Sequence, residues 1–353
     1  MVSARIIAAL SILFQCTRAL VEFPKSKLFE EADFAVSELS IPIPEENNRI
    51  YVSIPESSAK IAQKLMVHGV YQDQISLYEI SQMKMSSGEK GYFVVQKDVH
   101  QISIVNMNTC LSTAPIVLWI VWNQYPDYFP ASVFDAANLT VPSSNQGFIT
   151  VISAEPFTFH SKNTEQIHSY SAFAIMAGFD EYPQPNEEFH CAFLIYQMNN
   201  NADIWEIQAH VQSPLMTVYY NIAYKTEIWA DVSKASTLDF SAISFLTSPG
   251  YMGCNNVNNP YQSFLNDATT SFKYYSEGSL FDVAITAFVN TDSAHPVIVN
   301  DTTNDNKFTF SGTNPEKGKN ISMINTNNLE ITWTRNEDDL DQSFLLRLTP
   351  TPS

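Results

Sequence analysis

Almost every apolar stretch of this chain is short and ends at Pro, Asn, Asp or Ser, a pattern that indicates many strands rather than long helices. Such stretches run from "RIYVSI" near residue 50 to "SFLLRLT" near the carboxyl end. Alternation is clear late in the chain, where Leu329, Ile331 and Trp333 would face a core while the residues between them face water. The sequence therefore predicts an all-β protein, built from sandwiches rather than from one large barrel.

The amino terminus has the pattern of a secretory signal peptide. Arg5 precedes an apolar run over residues 6–14, and the small residues Thr17 and Ala19 follow it. The run is far shorter than the ~20 apolar residues that a membrane-spanning helix needs. We therefore expect cleavage after Ala19 and a secreted, extracellular protein with no transmembrane segment.

The balance of charge excludes one large class of partners. The chain carries 37 acidic and 19 basic side chains, which gives a formal net charge of −18. Nucleic-acid binding needs a basic stripe that neutralises phosphates, and the sequence has none. Aromatic residues make up 12% of the chain, whereas disordered acidic chains contain few of them. We expect a folded protein whose acidity mainly serves solubility.

Cysteine usage leaves an odd number of thiols in the mature chain. If Cys16 is removed with the signal peptide, Cys110, Cys191 and Cys254 remain. In an oxidising compartment the simplest outcome is one disulfide and one free or intermolecular thiol. The sequence does not choose among the three pairings, and an oligomer linked through the odd cysteine stays open.

Three sequons predict N-glycosylation, which is consistent with a eukaryotic secretory pathway. Their acceptor residues are Asn138, Asn300 and Asn320.

An internal echo suggests that one module occurs twice. "ISIVNMN" at 102–108 resembles "ISMINTN" at 321–327, and the same spacing of 219 positions relates Asp73 to Asp292. Apolar stretches precede both aspartates, and short expected strands, "ISLYEI" in the first copy, follow them. This alignment favours a strand over a helix in "ESSAKIAQKLMVHG", residues 56–69. We interpret the echo as two copies of a β-module.

The second copy contains residues that resemble a CUB domain. "LTSPGYMG" at 246–253 is followed by Asp292, by "FSGTNP" at 310–315 and by the closing segment "NNLEITWTRNEDDLDQSFLLRL". The first copy is similar to the CUB-like variant of secreted nematode proteins, which closes on a strand ending in Trp, here Trp122. The resemblance implies jelly-roll β-sandwich modules and a role in stress or pathogen defence.

The chain also departs from the CUB pattern. Arg335 and Asn336 stand where many CUB domains have a Ser-Asp pair that helps to bind calcium, and the paired disulfides are missing. Calcium binding is therefore not carried over to this chain. The expected domains are a signal peptide at 1–19, a CUB-like β-sandwich at 20–126, a β-rich middle module at 127–234 and a second CUB-like β-sandwich at 235–353.

No stretch matches a nucleophile elbow, a zincin helix, a phosphate loop or a dinucleotide fingerprint. The middle module contains four histidines, and a cysteine follows one of them directly, so one interpretation is that these side chains bind zinc. Scattered polar or half-buried side chains are the other reading, and we predict no metal, no cofactor and no enzymatic activity. The residues concerned are His160, His168, His190, Cys191 and His210.

Two further groups of residues, one acidic and one aromatic, each have a ligand-binding interpretation and a structural one. The carboxylates of Glu337, Asp338, Asp339 and Asp341 either coordinate calcium or form a solvated turn. Exposed aromatic side chains either stack on sugar rings or pack a module boundary. The candidates for binding are Tyr125, Tyr128, Phe129 and Tyr251.

These features predict a secreted, non-enzymatic recognition protein that binds glycans or extracellular proteins. One alternative is a secreted hydrolase with its site in the middle module, using His160, His168 or Asp180. Another is a disulfide-linked protein of an extracellular coat or matrix.

Overall fold

The architecture comes from a computed structural model of the chain. The structure describes residues 26–29, 31–43, 48–69, 74–96, 99–108, 114–122, 132–166, 172–177, 194–199, 206–232, 237–239, 242–248, 269–312, 318–335 and 342–352.

The first module is a sandwich of two antiparallel sheets. Its strands are β1 (Ser26–Phe29), β2 (Glu38–Pro42), β3 (Asn48–Ser53), β4 (Leu65–His68), β5 (Ile75–Ser76), β6 (Gln101–Asn106) and β7 (Val117–Trp122). One sheet has the order β1-β7-β3, and the other has the order β2-β6-β4-β5. Alternate side chains of both sheets, such as Ile50, Leu118, Ile41 and Ile104, form one buried core between them.

Two short helices replace strands that the sequence predicted. Helix α1 (Ala59–Ala62) follows a 3-10 turn at Glu56–Ser58, so the prediction of a strand is wrong there and right only for β4. Helix α2 (Leu77–Gln82) occupies most of the expected strand "ISLYEI", of which β5 keeps two residues. A second 3-10 turn covers Glu31–Phe34. The alignment favoured strands because it ignored local capping.

A capping box starts α2. The Ser76 hydroxyl accepts a hydrogen bond from the backbone N–H of Glu79 at 3.1 Å, and a Glu79 carboxylate oxygen accepts one from the Ser76 N–H at 2.8 Å. The second of these bonds is the main reason that the pKa of Glu79 is lowered. The Ser-x-x-Glu spacing before an apolar run is a signal for a helix amino terminus.

We expect Ser76→Ala to lower the free energy of unfolding by about 1 kcal/mol, because it leaves a helix N–H without its acceptor. Urea unfolding would measure the change, with Ser57→Ala as a control on an exposed serine. Equal midpoints for Ser76→Ala and the parent protein would contradict this role.

The middle module is built around one very long strand. Its strands are β8 (Val133–Asp135), β9 (Thr140–Ile152), β10 (Phe157–Gln166), β11 (Ala172–Ala177), β12 (Leu194–Asn199), β13 (Glu206–Val211) and β14 (Leu215–Asp231), with a 3-10 turn at Ala136–Asn138. Strand β14 pairs with β9 along one edge. Along its other edge it pairs first with β11 and then with β10. β14 therefore holds the module together.

The third module is again a sandwich. Its strands are β15 (Thr237–Asp239), β16 (Ile243–Thr247), β17 (Thr269–Tyr275), β18 (Phe281–Asn290), β19 (Val297–Asp301), β20 (Asn306–Phe310), β21 (Lys319–Thr326), β22 (Asn328–Thr334) and β23 (Ser343–Pro352). One sheet has the order β15-β17-β22-β19-β20, and the strands β16-β23-β18-β21 face it. Trp333, Phe344 and Ile285 lie in the core between them.

The first and third modules share their strand order. In one layer β1-β7-β3 corresponds to β16-β23-β18, and a bridge between Ile50 and Phe93 stands where β21 pairs with β18. In the other layer β2-β6-β4-β5 corresponds to β17-β22-β19-β20. All of these pairs are antiparallel.

The specific echo at 219 positions is nevertheless wrong as an alignment. Residues 102–108 begin on β6, whose counterpart by strand order is β22. Residues 321–327 begin on β21, which lies in the opposite sheet. Asp292 follows β18, whereas Asp73 lies outside the described residues. Short strands with similar apolar alternation resemble each other wherever they occur, and this misled the alignment.

Among the described residues, apolar side chains, a buried ion pair and hydrogen bonds join the first module to the middle module; the Lys90 N–H, for example, donates to the Val133 carbonyl at 2.7 Å. Tyr51 and Trp119, on the outer face of the β1-β7-β3 sheet, belong to one buried cluster with Ile152 and Leu215. Lys90 Nζ lies 2.8 Å from an Asp135 carboxylate oxygen, and the two side chains are 7% and 13% exposed. Lys90 Nζ also donates a hydrogen bond to the Ser81 carbonyl.

The middle and third modules are joined by paired strands. Strand β13 pairs in parallel with β16, and β16 pairs with β23, so one hydrogen-bonded sheet runs from β12 to β21 among the described residues. Strands β16 and β23 of this sheet have a buried side chain on each face. Phe245 and Leu345 pack into the core of the middle module, and Leu246 and Leu346 pack into the core of the third module. The predicted domain boundaries stay predictions.

The predicted all-β, sandwich-like fold class is confirmed. The predicted signal peptide lies outside the described residues. Within the described ranges, no helix has the length and apolar character needed to cross a bilayer.

Candidate functional site

A polar row crosses the outer face of the middle sheet. Strand register places Thr140 opposite Trp229, Trp229 opposite His160, His160 opposite Gln208, and Gln208 opposite Ser244. Directly paired side chains lie on the same side of a sheet. Residues next to this row, such as Phe159, Ala209 and Ile228, are buried in the middle core on the other side. The row therefore lies on the face turned away from that core.

Two aromatic rings and a carboxylate form the centre of this face. The imidazole of His160 stacks on the indole of Trp229, with ring centroids 5.0 Å apart and planes 5° from parallel. His160 Nε2 lies 3.2 Å from an Asp231 carboxylate oxygen. The Asp231 side chain is 64% exposed, whereas the His160 side chain is 17% exposed. The arrangement presents a fixed pair of rings beside an accessible carboxylate.

Charged side chains form the next row along the same strands. Lys162 stands between Glu206 on β13 and Glu227 on β14. Its Nζ lies 3.5 Å from a Glu206 carboxylate oxygen, and the Lys162 side chain is half exposed. We name Thr140, His160, Lys162, Glu206, Glu227, Trp229 and Asp231 the histidine–tryptophan face. It carries three carboxylates and one ammonium group.

Burial keeps the imidazole of this face neutral near pH 7. Loss of hydration lowers the pKa of His160, and the nearby carboxylates of Asp231 and Glu206 offset only part of that effect. The contact of His160 with Asp231 is therefore a hydrogen bond to a neutral ring rather than an ion pair. The negative charge of Asp231 remains available to a ligand.

The same sheet face continues into a dry junction with the third module. His210 is buried, its Nδ1 lies 3.1 Å from the Thr158 hydroxyl, and its ring meets Phe272 of β17 edge-on with centroids 4.7 Å apart. Burial lowers the pKa of His210 to about 4. Gln208 donates a hydrogen bond to the Ser244 hydroxyl at 2.7 Å. The junction closes the inner end of the row to ligands.

The histidines predicted from sequence therefore separate. The structure places His160 on the outer face and His210 in the junction, and it brings neither into a metal site with other described residues. His168, His190, Cys191 and the hydrolase candidate Asp180 lie outside the described residues. The aromatic candidates Tyr125, Tyr128, Phe129 and Tyr251, the thiols Cys110 and Cys254, and the acidic run Glu337, Asp338, Asp339 and Asp341 also lie outside them.

The predicted glycosylation residues are all described. Asn138 is exposed on the 3-10 turn before β9, and Asn320 is exposed on β21, at the end of its sheet. Asn300 is half-buried on β19, between β20 and β22. Glycosylation of the three residues stays a prediction.

Asp292, singled out by the resemblance, organises a turn of the third module. One carboxylate oxygen lies 3.0 Å from His295 Nδ1 and accepts hydrogen bonds from the backbone N–H groups of Ala294 and His295. The other accepts a hydrogen bond from the Gln342 amide at 2.9 Å. The side-chain bond with His295 is the largest of the effects that lower the pKa of Asp292.

Trp229 and Asp231 were not among the residues predicted from the sequence, although they supply the stacked indole and the accessible carboxylate of the site. Their signal was nonetheless present in "TEIWAD", where alternation places Ile228 in the core and Trp229 on the polar face. An indole on the polar face of a strand needs a reason. Its pairing with His160 depends on strand register, which a single sequence does not show.

Comparison with known proteins gives distant structural matches and no sequence relative. No protein-family model matches the chain, and no curated protein matches it. The CUB1-EGF-CUB2 region of human MASP-1/3 is 8% identical, and the match covers 60% of this chain and 95% of that chain with a TM-score of 0.23. A triple jelly-roll turret structure from an archaeal virus is 9% identical, with 89% and 81% covered and a TM-score of 0.16. Allantoicase is 8% identical, with 59% and 78% covered and a TM-score of 0.18.

The chain belongs to the class of all-β proteins built from mainly antiparallel sheets packed as sandwiches, which its own strands establish. A protein that contains CUB domains is among the structures it matches, and membership of the nematode CUB-like family stays a prediction.

Proposed function

We propose that this protein is a secreted, non-enzymatic recognition protein that binds an extracellular glycan or protein through the histidine–tryptophan face. The observation that supports it is the stacked pair of His160 and Trp229 beside the exposed carboxylate of Asp231. Side chains with an apolar body and a polar edge are typical of binding surfaces. A sheet holds them in place before the ligand arrives, so little entropy is lost on binding.

The secreted location is part of the proposal. It is supported by the signal-peptide pattern at residues 1–19 and by the exposed positions of Asn138 and Asn320. The resemblance to secreted nematode CUB-like proteins adds a role in stress or pathogen defence, and a recognition surface fits that role.

The same geometry favours binding over hydrolysis. A histidine that activates a nucleophile needs a hydroxyl or thiol within hydrogen-bonding distance, and an acid that orients its ring. His160 has Asp231 as the acid, but Thr158, two residues away on the same strand face, lies against His210. One face of the His160 ring is instead stacked on Trp229. This arrangement supports the proposal of a surface that holds a ligand.

The test is binding of the folded protein to an array of glycans, microbial surface extracts and extracellular proteins, with a denatured control. We expect selective, saturable binding that Trp229→Ala weakens at least tenfold, about 1.4 kcal/mol, because the ligand loses its aromatic contact. Tyr275→Ala, at an exposed aromatic residue of the third module, serves as the matched control and should bind normally.

Circular dichroism and thermal unfolding of both variants would separate loss of binding from loss of folding. The proposal fails if the parent protein binds nothing on the array, or if Trp229→Ala and Tyr275→Ala bind as well as the parent.

A further inference from the structure

The charges of the histidine–tryptophan face do not cancel. Lys162 can neutralise one of its two glutamate neighbours, Glu206 or Glu227. Asp231 has a neutral imidazole as its partner, so its charge is also uncompensated. The face therefore carries two negative charges in excess at neutral pH, within a protein whose formal net charge is −18. Such a field attracts cations and repels anions.

The indole of Trp229 has one ring face covered and the other flanked by a small side chain. His160 covers the side toward β10. On the side toward β9 the directly paired residue is Thr140, which is exposed and too short to cover an indole. A flat group standing above Thr140 would contact the side of the indole that faces β9. Asp231 would then lie two residues along β14, at the diagonal distance that long side chains span.

We propose that the histidine–tryptophan face docks an arginine side chain of a basic protein partner, with the guanidinium stacked on Trp229 and paired with Asp231. The inference rests on the proposed function and narrows its ligand. A guanidinium is planar, weakly hydrated and able to donate to both carboxylate oxygens, so it gains from the ring and from the charge at once. A neutral sugar would gain from the ring and leave the excess charge unused.

The experiment measures binding of three short peptides to the full-length protein at low ionic strength. The peptides share a Gly/Ser sequence and carry two arginines, two lysines or two citrullines, since citrulline has the shape of arginine without its charge. We expect the arginine peptide to bind at least tenfold more tightly than the citrulline peptide, and the lysine peptide to fall between them.

Variants of the protein test the position of the site. Asp231→Asn should weaken binding of the arginine peptide by about fivefold to tenfold, which is typical for the loss of one accessible charged partner. Glu227→Gln should have a smaller effect in the same direction. Glu277→Gln, at an exposed glutamate of the third module, removes the same charge elsewhere and should leave binding unchanged.

Equal binding of the arginine and citrulline peptides would overturn the inference, and so would an Asp231→Asn variant that binds like the parent. An equal loss in Glu277→Gln would show that net charge alone is responsible and would overturn it too. The binding array described for the proposed function distinguishes failure of arginine docking from failure of the proposed function itself. Glycan binding lost in Trp229→Ala, without preference for the arginine peptide, would overturn only arginine docking, whereas no binding in either experiment would overturn both.

Discussion

Between pH 6.5 and pH 4 the protein is expected to lose on the order of 3 kcal/mol of its free energy of unfolding through His210 alone. Burial against Phe272 lowers the pKa of His210 from 6.5 to about 4. The unfolded chain therefore binds a proton in this range that the folded chain rejects. The contribution that neutral His210 makes to the free energy of unfolding is fully present above pH 6.5. It decreases as the pH falls and is lost below about pH 4.

Urea unfolding at neutral and acidic pH would measure this effect. His210→Gln keeps a neutral partner for the Thr158 hydroxyl and cannot titrate, so its stability should change less between the two pH values than that of the parent. His100→Gln, at an exposed histidine of the first module, is the control for removal of any imidazole. A pH dependence in His210→Gln as steep as that of the parent would show that the junction does not respond to this proton.

Asp135→Asn is expected to destabilise the protein by roughly 3 to 5 kcal/mol, because it leaves the buried ammonium of Lys90 without a counter-charge. Asparagine retains an oxygen for the bond that Asp135 Oδ1 accepts from the Ala137 N–H, so the 3-10 turn at 136–138 keeps its cap. The double variant Lys90→Met/Asp135→Asn removes the buried charge and should recover most of the loss.

Thermal unfolding of the three proteins would check this expectation. The exposed pair of Lys273 and Glu330, whose charged atoms lie 3.4 Å apart, offers the comparison. Glu330→Gln should cost less than 1 kcal/mol, since solvent screens an exposed pair. If Asp135→Asn lowers the free energy of unfolding no more than Glu330→Gln does, then Lys90 reaches water in the folded protein. The ion pair would then not stabilise the contact between the two modules.

Secondary-structure class was the predictable part of this fold, because strand alternation is a local property. The same locality explains the errors. "ISIVNMN" and "ISMINTN" both describe a half-buried strand, and only hydrogen-bond partners show that one lies on β6 and the other on β21 in the opposite layer. The helix after Ser76 was also predictable, from its own serine and glutamate. The echo at 219 positions predicted a strand there, whereas the capping box that starts the helix is a property of these few residues alone.

The candidate site was predictable only in part. His160 was singled out from composition, yet its partners come from β14, about seventy positions further along the chain. Register between distant strands follows from the summed packing of their apolar faces, which no single residue reveals. The burial of His210 has the same origin, since β17 of another module covers it.

The two junctions of the protein differ in how they would respond to a pulling force. The first module touches the middle module mainly through side chains, with a backbone hydrogen bond from the Lys90 N–H to the Val133 carbonyl beside them. Traction at the amino terminus would therefore separate Tyr51 and Trp119 from Ile152 and Leu215 a few contacts at a time. Between the middle and third modules the load would fall on the paired backbones of β13 and β16, which resist shear together. Under a pulling force at the carboxyl end, the sheet that carries the histidine–tryptophan face would therefore move as one unit with the third module. The first module could detach from the middle module and leave that face intact.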